Sequence, residues 1–99
     1  MASSRQDAGE HDLAREARLL ESARVLLSTD AVSALVLLGR HEKEFPNGGL
    51  EIERQLLTVD ALVRLGRKSE AEARARTLRG RAPGNLYEQR LERLLGEAR

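Results

Sequence analysis

His11 and His41 are the chain's two imidazoles, and His41 lies beside Glu42 and Glu44. A histidine with two carboxylates has the donor types of a metal site, but ligands must converge on one point. Positions 41, 42 and 44 of a helix point in different directions, so this trio does not converge. His41 falls where a later copy of the same passage has Leu78, which makes it a packing position. Paired carboxylates recur at Glu42/Glu44, Glu51/Glu53 and Glu70/Glu72. Acid–base chemistry needs two carboxyl groups facing one pocket with separated pKa values, and a spacing of two on a helix splays them apart. Glu51 and Glu53 are better explained by the partial positive charge at a helix N-terminus. Ser22, Ser28, Ser33 and Ser69 stand in no nucleophile motif, and Gly48-Gly49 is a turn and no phosphate cradle. With no cysteine in the chain, thiolate chemistry and disulfides are excluded. No catalytic, cofactor-binding or metal-binding residue is assigned, and a non-enzyme is expected.

The segment from Arg64 to Arg81 holds seven basic residues, Arg64, Arg67, Lys68, Arg74, Arg76, Arg79 and Arg81, against Glu70 and Glu72. Such a stripe could contact nucleic acid phosphates, and a nucleic-acid-associated regulator is the alternative reading. No aromatic residues are interleaved for base stacking. A solvated face, or contact with an acidic protein surface, accounts for the segment better. Residues 41–53 are acidic, so two copies of the chain could pair head to tail.

The elements that position these residues are helical. Among 99 residues, 40% are hydrophobic and 33% charged, with one Phe, one Tyr and no Trp. Leucine and alanine dominate, and straight-chain residues lose little rotamer freedom in a helix. A net charge of +1 points neither to nucleic acid nor to a membrane surface. The apolar run from Ala31 to Leu38 is far shorter than the roughly 20 residues of a membrane span, so no membrane insertion by this segment is expected.

Residues 1–9 are small and polar and are expected to be disordered, a generic start of the kind added to a domain excised from a longer protein. One domain over 10–98 follows, with helices over about 10–27, 31–44, 50–65, 70–80 and 86–97. Leu13, Ala17, Leu20, Ala23 and Leu27 give the first helix one apolar stripe. The second is apolar nearly all round and is expected to be central. The third carries two stripes, Ile52/Leu56/Val59/Val63 and Leu57/Ala61/Leu65. Ser28, Thr29 or Asp30 can cap the second helix, and Ser69 with Glu72 forms a capping box for the fourth. Glu70–Arg74 and Glu72–Arg76 are favourable i,i+4 pairs. Asn47-Gly48-Gly49 supplies positive-φ positions, and Gly66 suits a helix C-terminus. Pro83-Gly84-Asn85 breaks the chain before the fifth helix, with Asn85 and Glu88 as a further capping pair. Helices two and three are expected to form one hairpin and helices four and five the next, with helix one in front.

Ala34-x3-Leu38-x2-His41-x3-Phe45-Pro46 returns 37 residues later as Ala71-x3-Ala75-x2-Leu78-x3-Ala82-Pro83. Arg54 and Arg90 follow the two prolines at equivalent places, where they could bond carbonyls near the turn. Ala34, Gly39, Ala71, Ala75 and the Leu65-Gly66-Arg67-x3-Ala71 entry resemble the tetratricopeptide-repeat family, whose repeat is about 34 residues. The period is longer here, and the aromatic usual in the first helix is missing. Phe45-Pro46 is similar to the ending of divergent bacterial envelope repeats, and similar short tails occur on membrane-tethered regulators. The resemblance implies an all-α, short right-handed solenoid of stacked antiparallel hairpins, about five helices in all. It implies a scaffold for protein–protein interaction within a larger bacterial protein, cytoplasmic or periplasmic, with an unidentified protein partner or a second copy as homodimer. The candidate partner-binding residues are Arg67, Arg74, Ala75, Arg76, Leu78, Arg79, Tyr87 and Leu91, on the alanine face of helix four and the apolar side of helix five.

Overall fold

Five helices follow one another in the computed structural model: α1 (Ser3–Leu26), α2 (Ala31–Glu44), α3 (Glu51–Arg64), α4 (Lys68–Arg81) and α5 (Asn85–Gly96). The structure describes residues 3–81 and 85–96, with side chains described over 12–81 and 87–96. The chain is all-α, built of helices packed in adjacent pairs. α2 matches its expected span, and α3, α4 and α5 differ from theirs by one or two residues at either end. α1 differs most, since it takes in residues 3–9 of the stretch expected to be disordered. No proline precedes Pro46, and an interior glycine such as Gly9 costs a helix only about 1 kcal/mol relative to alanine. Residues 1–2 and the break expected at Pro83-Gly84 lie outside the described residues.

The turns are set by local bonds. Asp30 is the residue that caps α2: its carboxylate accepts from the Ser33 amide at 3.0 Å and the Ser33 hydroxyl at 2.6 Å. These bonds hold the Asp30 carboxyl below the usual carboxylate range. Gly66, at φ 73°, is the positive-φ residue among those described. There the Arg67 amide reaches the Leu62 carbonyl (2.9 Å) and the Gly66 amide reaches the Val63 carbonyl (3.0 Å), the double closure of a Schellman end. Gly48 and Gly49 adopt no positive φ, contrary to expectation. What Gly48 provides is space, because a Cβ there would overlap the Glu16 carboxylate. α4 starts at Lys68, which puts Ser69 inside the first turn and away from the expected cap. The expected i,i+4 pairs of α4 also give way. Glu70 turns back to Arg67 at 2.9 Å, and Arg74 reaches across to Glu42 of α2 at 3.9 Å.

α3, not α2, is the central element. It packs against all four other helices, whereas α2 packs against α1 and α3 and meets α4 through the Arg74–Glu42 side-chain pair. α2 leaves Val32 and Val36 59% and 66% exposed, so its outer side is bare. The two stripes of α3 divide the core. Leu57 and Ala61 join Leu20, Ala23, Leu27, Ala34 and Leu38 of the first hairpin. Leu56, Val59 and Leu62 join Ala71, Ala75, Leu78 and Leu91 in a second cluster.

The heaviest contacts are α1 with α2 and α3 with α4, followed by α2 with α3. The hairpins are therefore α1/α2 and α3/α4, with α5 closing the end, one helix out of step with the sequence-based pairing. The proline turn joins two hairpins here; the shorter connections at residues 27–30 and 65–67 close them. The backbones of α1 and α3, and of α3 and α5, approach closely, while among the described residues α2 and α4 meet only through side chains, as at Arg74–Glu42. The odd helices thus form one layer and the even helices a second, more splayed layer. The shortest extent of the molecule, 18 Å, fits two helices at the usual spacing of about 8–10 Å.

Candidate functional site

Closer approach in one layer than in the other makes the α1–α3–α5 side the concave one. A groove of about 690 Å³ runs across it. Leu20, Leu50 and Leu57 form its floor, of which Leu20 and Leu57 also belong to the first core cluster. Arg18 and Arg24 of α1 and Arg90 of α5 stand on its rim, with Glu21 and Glu53. Arg24 is paired with Glu21, and Arg90 with Glu53 at 3.3 Å. The rim therefore carries three guanidinium groups against two carboxylates. An apolar floor with a few charged groups at the edge is the usual make-up of a recognition groove.

A second cluster lies where α1, α2 and α3 meet. His41 is fully buried, with Glu16 and Arg54 4% and 3% exposed. His41 Nε2 lies 3.1 Å from Glu16 Oε1, and His41 Nδ1 lies 3.2 Å from Arg54 Nη1. A guanidinium can only donate, so Nδ1 accepts and Nε2–H donates to the carboxylate. Arg54 Nη1 also donates to the Phe45 carbonyl (3.2 Å), and Glu16 Oε1 accepts from the Leu50 amide at 3.4 Å. Burial, followed by the Arg54 charge, holds the His41 pKa below the ordinary histidine value, and Glu16 only partly offsets them. The ring stacks at a tilt on Phe45, 5.4 Å between centroids, while Arg15 covers the outer face of that phenyl ring. Almost wholly shielded from solvent, this cluster joins three helices.

The staple expected of Arg54 is present, since it bonds the carbonyl of the residue before Pro46. Arg90 does something else: it is exposed and reaches Glu53. His41 is the packing position expected from its match with Leu78, but it packs as part of a polar network. Leu78 sits in an apolar one. Glu16 was hidden among surface charges in the sequence. Its signal is register: positions 16, 20, 23 and 27 share one helix face, and the last three are apolar.

The sequence-predicted partner residues do not assemble into one surface. Ala75, Leu78 and Leu91 are 0%, 2% and 1% exposed, inside the second core cluster. The small alanine side chains let α4 lie close to α3, so that face is closed. Tyr87 is half-buried against the same cluster, as are Leu94 and Leu95 on the α5 side expected for self-association. Arg76 and Arg79 line a shallow groove between α4 and α5, where Glu72 and Glu92 balance them. Arg79 bonds Glu88 at 2.7 Å. Across the basic segment, Arg64 pairs with Asp60, Arg67 with Glu70, Arg74 with Glu42, Arg79 with Glu88 and Arg81 with Glu51. Charges expected to join two copies head to tail thus meet within one chain, at Arg74–Glu42 and Arg81–Glu51. Among the described residues, no group of histidine and acidic side chains could hold a metal ion, and no helix is long and apolar enough to cross a membrane.

No family model, no curated protein and no solved structure matches the chain.

Proposed function

We propose that the chain is a non-catalytic protein–protein interaction module, a tetratricopeptide-like scaffold that takes an acidic, partly apolar segment of another protein in its α1–α3–α5 groove. The observation that carries this reading is the groove itself: a leucine floor shared by two helices, with Arg18, Arg24 and Arg90 around it. A leucine or phenylalanine on the partner would cover the floor, and a carboxylate would meet the rim. Rim charges of this kind set partner choice and association rate more than final affinity. The burial of the Glu16–His41–Arg54 cluster supports reading it as architecture, since no substrate can reach it. The pairing of five basic side chains in the Arg64–Arg81 segment leaves the nucleic-acid alternative with less free charge than the sequence suggested.

Selection of displayed random peptides on the purified chain tests the reading. The expected winners carry Asp or Glu beside Leu, Ile or Phe. Their binding falls at least about tenfold in an Arg18→Glu/Arg90→Glu double variant, a cost typical of lost charge complementarity, and survives Arg67→Glu. Peptides that bind the double variant as well as the parent would move the site elsewhere.

A further inference from the structure

We infer that the Glu16–His41–Arg54 cluster is an acid-sensitive latch: protonation of His41 loosens α1 from α2 and α3, while the α3/α4/α5 half keeps its packing. One residue from each of three helices meets here, so a change at the ring is felt by all three. From α1 the group facing His41 is Glu16, from α3 it is Arg54, and from α2 itself it is Glu44. Glu51 stands behind Arg54 at 3.9 Å. In the neutral ring every hydrogen is placed: Nε2–H points to Glu16, and Nδ1 receives Arg54. A second proton has to go on Nδ1, 3.2 Å from a guanidinium nitrogen. That sets donor against donor and adds a second cation to a site closed to water. The Glu16 carboxylate still favours the cation, but it cannot restore the lost bond to Arg54.

The direction follows from linkage. The folded ring resists protonation by burial and by Arg54, so its folded pKa lies below the unfolded value of about 6.5. Stability from the neutral ring is therefore complete above the unfolded pKa and is lost as pH falls through that value toward the folded one. The matching junction of the second half has no histidine, because Leu78 takes the place of His41 and packs with Leu91; its carboxylates, such as Glu88 with Arg79, belong to a group type that titrates at about pH 4, below the histidine range. Acid therefore acts on one half of the molecule. α1 also carries Arg18 and Arg24 of the groove, but the latch stands whether or not that groove binds a partner.

Hydrogen exchange on the full chain, corrected for intrinsic pH effects and compared between about pH 7.5 and 5, where histidine titrates, reads the latch. Amides of α1 and α2 are expected to lose protection on acidification while those of α4 keep it. His41→Gln, which can donate and accept but not titrate, is expected to abolish the difference. Uniform loss along the chain, or the same loss in His41→Gln, overturns the inference. If His41→Gln does not fold, imidazole nitrogen shifts in a His11→Gln background decide. The neutral Nε2–H ring giving way to the cation together with α1 protection supports the latch; a ring that takes up its proton with α1 still protected overturns it.

Discussion

A methyl group would have opposite effects at two glycines of this chain. Gly39 lies inside α2 with nothing near its would-be Cβ, so Gly39→Ala removes only helix-opposing backbone freedom and is expected to stabilise by about 0.5–1 kcal/mol. Gly48 is held against the Glu16 carboxylate, so Gly48→Ala must push that side chain from its bonds to His41 and Leu50 and is expected to cost about 1–3 kcal/mol. Urea midpoints of the two variants check both signs. Two arginines at equivalent places give a similar contrast. Arg54→Ala strands the buried His41 imidazole and the Phe45 carbonyl and is expected to cost about 1–3 kcal/mol for each group left unpaired. Arg90→Ala breaks an exposed pair and should stay within about 0.5 kcal/mol. Peptide binding by folded Arg54→Ala is expected to persist, since Arg54 does not line the groove. The sequence marked Arg54 as a staple near the turn. It could not mark Glu16 as a member of the same network, because a glutamate in register with leucines looks like an intrusion until its partners, His41 and the Leu50 amide, are brought from 25 and 34 residues away.

Among the elements, α3 carries the most, and its two faces make separable predictions. Leu57 faces α1 and α2, and Leu56 faces α4 and α5. Each truncation to alanine is expected to cost about 2–5 kcal/mol. Hydrogen exchange should place the loosening in α1 and α2 for Leu57→Ala, and in α4 and α5 for Leu56→Ala. Identical exchange patterns would mean that α3 does not divide the core. Both stripes were legible, because helical spacing sorts Leu56/Val59 from Leu57/Ala61 without knowledge of what each side meets. The central role was misplaced onto α2, whose apolar residues run nearly all round. Apolar composition reports how much of a helix can be buried; neighbours decide how much is. With only α1 and α3 packed closely against it, α2 leaves two valines in solvent. The alanine face of α4 was misread for a related reason. Small side chains are equally the mark of an open face and of a close helix approach, and here α3 makes the approach.

At the scale of the whole molecule, two core clusters share one helix, so the halves are expected to unfold together. Tyr87 is the one tyrosine of a chain without tryptophan, and its fluorescence reports α5, while far-ultraviolet circular dichroism reports all the helices. Coincident urea transitions by the two probes are expected at neutral pH. Separate transitions would show that the α3 interfaces are weaker than the hairpins they join, as nearest-neighbour coupling in repeat arrays allows. What residue order alone determined is the list of parts: an all-α chain, the helix spans after α1, a cap for α2 at one of Ser28, Thr29 and Asp30, the Gly66 signal, and a repeat of 37 residues. Those follow from local rules, in which a residue's preference and its neighbours within a turn suffice. Which helices pair, which layer closes into a groove, and which charges meet were decided only by the tertiary structure. Contacts between residues 16, 41 and 54, or 53 and 90, depend on how whole faces pack, and short-range periodicity carries no record of that.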